Sequence, residues 1–210
     1  MRYLSNSIAG SVVVLLSLLL YSCGGKTTDT VGPGMDVAPV SCVVVLPTQT
    51  PYEDSSSNQM NNNMQAGVKY LDTAVLSELR KSKVEKVLQS TQFSLPISEM
   101  TSGEYSLMKE IGEVSGCNNV LITTLSHFRQ RQGGEMAAGD PASAAFEMKL
   151  IEADTGRTLW MSTFNETQSS LFENLFSFSK AQSRGFKWIT VEELVSQGVQ
   201  EKLQECPYLY

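Results

Sequence analysis

The chain has 210 residues, one histidine, four cysteines and a formal net charge of −6. This length is sufficient for one domain of ordinary size with a hydrophobic core. The acidic balance excludes the basic face by which proteins bind nucleic acid, and it excludes attachment to anionic lipid by charge alone.

The N-terminus resembles the signal peptide of a bacterial lipoprotein. After the basic start Met1-Arg2-Tyr3, residues 8–20 form an apolar run of signal-peptide length, shorter than the roughly 20 residues of a membrane-spanning helix. Leu20-Tyr21-Ser22-Cys23 resembles the lipobox, since Leu lies three residues before Cys and the neighbours of Cys23 are small. The resemblance implies cleavage before Cys23 and its modification with diacylglycerol and an N-acyl chain such as palmitate. The alternatives are an ordinary signal peptide with an incidental cysteine, or an uncleaved anchor.

The predicted lipid determines the expected location and the division of the chain. Residues 1–22 are the signal peptide, 23–39 the lipidated N-terminus with a flexible tether, and 40–206 the periplasmic domain. The tether is rich in Gly, Thr and Pro, and its extended reach is roughly 50 Å. Because Gly24 rather than Asp follows Cys23, the rule of enteric bacteria places the protein on the periplasmic face of the outer membrane. Apart from the covalent lipid on Cys23, no cofactor is predicted.

The first predicted elements are a strand and a helix. Residues 40–47 are almost continuously β-branched, which is typical of a strand buried on both faces. Residues 51–65 are polar and rich in Asn and Ser, which predicts a long loop. Residues 66–81 have apolar side chains at helical spacing. Residues 84–88 fit a short strand or a continuing helix, and the topology favours the strand.

The middle of the chain predicts a second helix and a long strand. Thr101 and Glu104 have the spacing of a capping box, which predicts a helix from there to about Ser115. Gly116 is a natural helix stop. Residues 119–131 then predict a long strand that becomes polar towards its end.

The last third predicts a hairpin followed by a helix. A Gly/Ala loop at 133–142 leads to a strand at 144–153, and the turn Asp154-Thr155-Gly156 returns the chain as a strand at 158–167. The final helix starts at Thr190, with Glu three residues later. The predicted fold class is therefore α/β (α+β): a single domain with a mixed sheet, helices on its faces, and the order β-α-β-α-β-β-β-α.

Three motifs resemble a group of periplasmic domains. They are the strand Val43-Val44-Val45-Leu46-Pro47, the segment from Gly116 to Leu125, and the hairpin from Met148 to Trp160. The group includes the curli-secretion lipoprotein, the N-terminal domain of the Tol translocation protein, and the lipoprotein activator of penicillin-binding proteins. Residues 183–194 also resemble a narrower set of uncharacterised proteobacterial lipoproteins. The resemblance implies a fold and an envelope role and does not transfer an activity.

The chain departs from two mechanisms of this group. The curli-type pore is built from long amphipathic hairpins, whereas residues 133–142 are about as long as a hairpin turn and contain no ten-residue alternating strands. The activator crosses peptidoglycan on a long linker, whereas residues 24–39 are short. The sequence therefore disfavours a pore, and it favours a partner close to the anchor.

Patterns of catalysis and metal binding are weak, so no enzyme is predicted. His127 is the only histidine, and the sequence contains no Gly-x-Ser-x-Gly motif that would supply a serine nucleophile beside it. Its position in a strand favours a solvent-edge or hydrogen-bonded residue. Glu152 and Asp154 fit solvated acids at the rim of a turn. No Cys/His spacing predicts a metal site. Cys42, Cys117 and Cys206 allow at most one internal disulfide; the strand contexts of the first two favour small buried residues, and the pairing stays open.

One aromatic and basic stretch, residues 169–188, is the predicted partner-binding region. Aromatic side chains and Arg are typical anchors of protein interfaces. The alternative is a lid that buries these aromatics over the sheet. The candidate binding residues are Phe176, Phe178, Arg184, Phe186 and Trp188.

The function predicted from the sequence is that of a non-catalytic binding, adaptor or assembly protein of the cell envelope. Its expected partners are the membrane, through the lipid on Cys23, an envelope protein, and a possible second copy of itself, with no nucleic acid. The alternative is an oligomeric component of an outer-membrane export or secretion assembly.

Overall fold

The computed structural model describes residues 38–51, 58–93, 105–134, 138–168 and 188–210. Five strands form one mixed sheet in the order β2-β1-β3-β6-β7: β1 (Cys42–Val45), β2 (Lys86–Gln89), β3 (Asn119–Arg129), β6 (Ser143–Glu152) and β7 (Thr158–Thr167). β1 pairs in parallel with β2 and β3, while β3, β6 and β7 are antiparallel. The predicted fold class and element order are confirmed.

Within the described ranges, three helices cover the two faces of the sheet: α1 (Asn58–Leu79), α2 (Tyr105–Ser115) and α3 (Val191–Gln204). α1 and α3 share one core with the side chains of Val43 and Val45, whereas α2 packs against Val44 on the opposite face. β1 is thus buried from both sides, which explains its nearly continuous run of valines. None of the helices in the described ranges is long and apolar enough to cross a membrane.

α1 corrects one prediction. Its helix begins at Asn58, inside the segment 51–65 that the composition assigns to a loop. Asn62 and Asn63 are exposed, whereas Met64 packs against the core shared by α1 and α3. The first turns are therefore helical because the packing of the later turns extends the helix into polar sequence.

The ends of the other elements follow local chemistry. Thr190 caps α3 with both hydrogen bonds of the capping box: its Oγ1 accepts from the Glu193 amide, and the Glu193 carboxylate accepts from the Thr190 amide. Gly116 ends α2 with φ of 67°, a left-handed conformation that favours glycine. Thr101 and Glu104 lie outside the described residues.

The antiparallel half matches the predicted hairpin and adds a smaller one. β7 has the predicted bounds, and β6 begins one residue earlier than expected. The predicted loop 133–142 is in part a short two-stranded hairpin of β4 (Gln132–Gly133) and β5 (Ala138–Asp140). Pairing in this hairpin depends on backbone groups, so residue types alone did not indicate it.

The core between the sheet and α3 is centred on two phenylalanines. Phe146 of β6 and Phe164 of β7 are register partners, and their ring centroids lie 5.0 Å apart. α3 approaches these rings closely at Gly198, where an added Cβ would lie 2.8 Å from the Phe164 ring. The small residue therefore sets the distance between helix and sheet.

A disulfide joins Cys42 to Cys117, 75 residues apart in the chain. Cys42 lies at the start of β1 and Cys117 just before β3, and these neighbouring parallel strands bring the two residues to a Cα–Cα distance of 5.6 Å. The sequence left the pairing open, and the structure gives it as Cys42 with Cys117; Cys117 is buried as predicted, whereas Cys42 is half-buried. Cys206 is buried and free.

The C-terminal residues form a strap across the start of β1. The Val40 amide donates to the Tyr208 carbonyl at 2.8 Å, and the Lys83 amide donates to the Leu209 carbonyl at 2.9 Å. The Tyr210 hydroxyl lies 3.3 Å from both the carbonyl and the carboxylate of Glu78. The folded region therefore extends to Tyr210.

This strap predicts a loss of stability at alkaline pH. Burial raises the pKa of the Cys206 thiol from 9.0 to about 11, and burial with the nearby charge of Glu78 raises the pKa of Tyr210 from 10.0 to about 12. The folded chain therefore retains protons that the unfolded chain releases, so this contribution is complete below about pH 9 and is lost between about pH 9 and 12. Cys206 alone accounts for about 3 kcal/mol of this loss in the free energy of unfolding.

The measurement is urea denaturation at a series of pH values from 7 to 11. Above pH 9, the free energy of unfolding of the Cys206→Ala, Tyr210→Phe double variant should fall less steeply with pH than that of the wild type. Equal slopes for the two proteins would contradict the assignment of the alkaline loss of stability to Cys206 and Tyr210.

Candidate functional site

The residues predicted to bind the membrane and a partner lie mostly beyond the described ranges. Cys23, Phe176, Phe178, Arg184 and Phe186 all lie outside them. Trp188 is described and half-buried. The predicted binding role of these residues, the lipid on Cys23 and the division into signal peptide, tether and domain stay predictions.

Trp188 is the first described residue after position 168. The amide of the next residue, Ile189, donates to the Gln168 side-chain carbonyl at 3.0 Å, and the Gln168 amide donates to the Ala142 carbonyl at 3.0 Å. Residue 168 directly follows β7. Gln168 therefore links Ile189 to Ala142, beside the end of β7 and the beginning of β6.

The outer strand β7 forms a long edge of the sheet. Nine of its ten residues pair in register with β6, and no strand in the described part of the chain pairs with its other side. Its sequence, Thr-Leu-Trp-Met-Ser-Thr-Phe-Asn-Glu-Thr, contains one charged residue and neither Lys nor Pro. Natural proteins usually protect exposed edges with charges, prolines or bulges. β7 therefore has the residue types of a strand that accepts a further strand.

The face of β6 and β7 opposite the phenylalanine core carries mixed side chains. α2 packs against β1, the start of β3 and the end of β6 on this side of the sheet. Met161 is 56% exposed, and Lys149 and Glu147 form an ion pair. We call this face the β6–β7 surface; it consists of Glu147, Lys149, Met161, Thr163 and Asn165.

Sequence reasoning placed the binding region in segment 169–188 and did not identify the β6–β7 surface. The signal that could have found it is the low charge of Thr158–Thr167, the last strand of the predicted meander. That signal becomes meaningful only with the strand order, because the same residues in a central strand would be ordinary.

His127 and Ser143 form a hydrogen-bonded pair on neighbouring strands. The His127 Nε2 lies 2.6 Å from the Ser143 Oγ, and the Ser143 side chain is buried whereas His127 is exposed. Burial and then the charge of Arg129 lower the pKa of His127. The neutral imidazole of His127 thus provides a hydrogen-bond partner for the buried hydroxyl of Ser143. The sequence-based interpretation of His127 as a hydrogen-bonded strand residue is confirmed.

The carboxylates of the β6–β7 turn have a structural role. Glu152 accepts hydrogen bonds from the hydroxyl of Thr155 and the guanidinium of Arg157, and these bonds lower the pKa of the Glu152 carboxyl. The Asp154 amide donates to the Asn118 side chain at 2.7 Å. These contacts hold the turn closed. Across the described ranges, no group of three His, Cys, Asp or Glu side chains could hold a metal ion.

The sequence matches no protein-family model, and no curated protein is similar to it at a significant level. Solved structures do resemble the fold. The PelC dodecamer from Paraburkholderia phytofirmans is 13% identical, with 83% of this chain and 91% of that chain aligned and a TM-score of 0.49.

Two further solved structures are similar to the chain. Lipoprotein GNA1162 from Neisseria meningitidis is 16% identical, with 69% and 99% of the two chains aligned and a TM-score of 0.36. The LpoB C-terminal domain from Salmonella enterica is 15% identical, with 62% and 85% aligned and a TM-score of 0.30. The fold group that the sequence resembles is therefore represented among the similar structures. At these identities and TM-scores, the likeness transfers no function to this chain.

Proposed function

We propose that the chain is an exported lipoprotein, anchored through Cys23 to the periplasmic face of the outer membrane, whose domain binds and positions envelope proteins. The observation that carries the export is the Cys42–Cys117 disulfide. Disulfides persist in oxidising compartments such as the periplasm and are rare in the cytosol. The leader and lipobox at residues 1–23 provide an independent reason for the same location.

A binding role agrees with the chemistry of the described surface. Among the described residues, no strand pairs with the outer side of the ten-residue β7, and backbone pairing at the edge of a sheet is a recurring way to bind an extended segment. The His127–Ser143 pair and the carboxylates of the β6–β7 turn have structural roles. The proposed activity is therefore recognition of protein rather than conversion of a substrate.

The second candidate function is that of an oligomeric component of an export assembly. The observation that favours it is the same edge, since an open strand can pair with another copy of the chain as well as with a different protein. In-cell crosslinking through a photoreactive residue at Thr163, with one at exposed Gln200 of α3 as the control position, separates the candidates. Crosslinks to a different envelope protein support the adaptor, whereas crosslinks to the chain alone support the assembly component.

Lipid attachment gives a direct prediction. Cys23→Ser should abolish labelling with radioactive palmitate and move the protein from the membrane fraction to the soluble periplasmic fraction, because the only predicted acyl acceptor is lost. Cys206→Ala is the matched control, since it removes the buried free thiol, and it should label like the wild type. Membrane retention and unchanged labelling of Cys23→Ser would exclude the proposed anchor.

A further inference from the structure

The segment between α1 and β2 concentrates positive charge in an acidic chain. Residues 80–86 contain four basic residues and one acidic residue, Glu85, which gives the segment a formal charge of +3 in a chain whose net charge is −6. All four basic side chains belong to exposed residues. We call them the basic cluster; it consists of Arg80, Lys81, Lys83 and Lys86.

Most of this charge is not neutralised within the described part of the chain. Lys81 pairs with the buried carboxylate of Glu78, with 2.7 Å between Nζ and Oε2, whereas no described carboxylate forms an ion pair with the other three basic residues. The acids of the β6–β7 turn belong to the same edge of the sheet, but β6 lies three strand spacings from β2, or about 14 Å. This distance exceeds the screening length of about 8 Å at physiological salt.

The fold places the basic cluster where the chain enters the described domain. The Lys86 amide donates to the Ser41 carbonyl at 3.0 Å, and Lys86 is the register partner of Cys42 at the start of β1. Lys83 is held to the C-terminal strap, which also binds the Val40 amide. The residues that follow the predicted tether therefore lie directly beside the basic cluster.

We propose that the basic cluster binds anionic phospholipid headgroups of the membrane that holds the lipid on Cys23. This inference rests on the proposed anchoring through Cys23. Basic residues near an anionic surface are attracted to it within about one screening length. The predicted tether reaches roughly 50 Å, so the basic cluster stays close to the membrane to which the chain is attached.

The covalent lipid and the basic cluster then have separate roles. The lipid holds the chain to the membrane, which its net negative charge does not do, and the basic cluster determines which end of the domain faces the headgroups. The starts of the parallel strands β1 and β2 face the membrane. The opposite edge, where β3 ends and β6 begins, faces away from it and is accessible to an envelope protein.

The experiment measures which lysines the headgroups protect. The lipidated protein is reconstituted into vesicles of phosphatidylcholine alone or of an equimolar mixture with phosphatidylglycerol, and flotation establishes whether it is anchored in each. Lysines are then acetylated with an amine-reactive reagent and quantified by mass spectrometry. Lys83 and Lys86 should react about fivefold more slowly on the anionic vesicles, and high salt should remove the difference. The exposed Lys69 of α1 and Lys109 of α2 should react equally on both vesicles.

A pair of variants tests whether charge causes the protection. Arg80→Gln with Lys83→Gln removes two positive charges and should restore most of the reactivity of Lys86 on anionic vesicles. The matched control, Lys69→Gln with Lys109→Gln, removes the same charge elsewhere and should leave Lys86 protected.

Three results of the labelling would overturn the proposal. They are equal reactivity of Lys83 and Lys86 on the two vesicles, equal protection of Lys69 and Lys109, and protection that persists in high salt. Failure of the protein to float with either vesicle would contradict the anchor at Cys23, and this inference with it. Because flotation is scored before labelling, failure of the anchor is distinguished from failure of the basic cluster alone.

Discussion

Replacing Cys42 and Cys117 together with Ala is expected to lower the free energy of unfolding by about 4 kcal/mol. The bond joins residues 75 apart, and the enclosed segment contains α1, β2 and α2. Without the bond, the unfolded chain gains the conformational freedom of that long segment, which is the main source of the loss in the chain-entropy description. Guanidinium denaturation of the oxidised wild type and the double variant measures the difference.

Two controls isolate the disulfide. Cys206→Ala removes a buried thiol without opening a link, so its effect should be about 1 kcal/mol or less. A reducing agent should lower the stability of the wild type towards that of the double variant and leave the double variant unchanged. If the oxidised wild type and the double variant unfolded at the same denaturant concentration, the disulfide between Cys42 and Cys117 would make no contribution to the free energy of unfolding.

The same result bears on the proposed location. A chain expressed without residues 1–22 in a reducing cytosol would keep both thiols reduced. Its domain should then have the lower stability of the double variant. Stability and export are therefore linked through one covalent bond, and this link is testable by alkylating free thiols in the exported and the retained protein.

Phe146→Ala should lower the free energy of unfolding by about 3–5 kcal/mol. Phe146 is 1% exposed at the centre of the core and stacks on Phe164, while α3 approaches the Phe164 ring at Gly198. Removing the ring leaves a cavity that the stacked neighbour and the closely packed helix cannot fill without moving. The shift in the denaturation midpoint at unchanged slope measures the effect.

Met161→Ala is the matched control for this substitution. Met161 lies on the neighbouring strand with its side chain on the opposite, exposed face, so its truncation should change the stability of the folded monomer by roughly 0.5 kcal/mol or less. Similar losses for Phe146→Ala and Met161→Ala would show that the β6–β7 surface is buried in the protein in solution. That result would contradict the assignment of the two faces.

Local chemistry made much of the fold predictable from the sequence. The capping box at Thr190 and Glu193 depends on atoms within one helical turn, and the left-handed position of Gly116 depends on one residue. The start of β7 follows from the Asp-Thr-Gly turn before it. Each of these signals is complete within a few residues, so each was correct without knowledge of the rest of the chain.

Only the tertiary structure decided the features on which function and stability depend. Cys42 pairs with Cys117 rather than Cys206 because β1 lies beside β3 in the sheet, and sequence spacing does not encode that neighbourhood. α1 begins at Asn58 because its later turns pack on the core, although its first turns read as a loop. β7 is an edge because of the strand order, whereas its residue types fit an interior strand equally well. Sequence patterns report the conformation and burial of a segment, but its neighbours are set by packing across the whole domain.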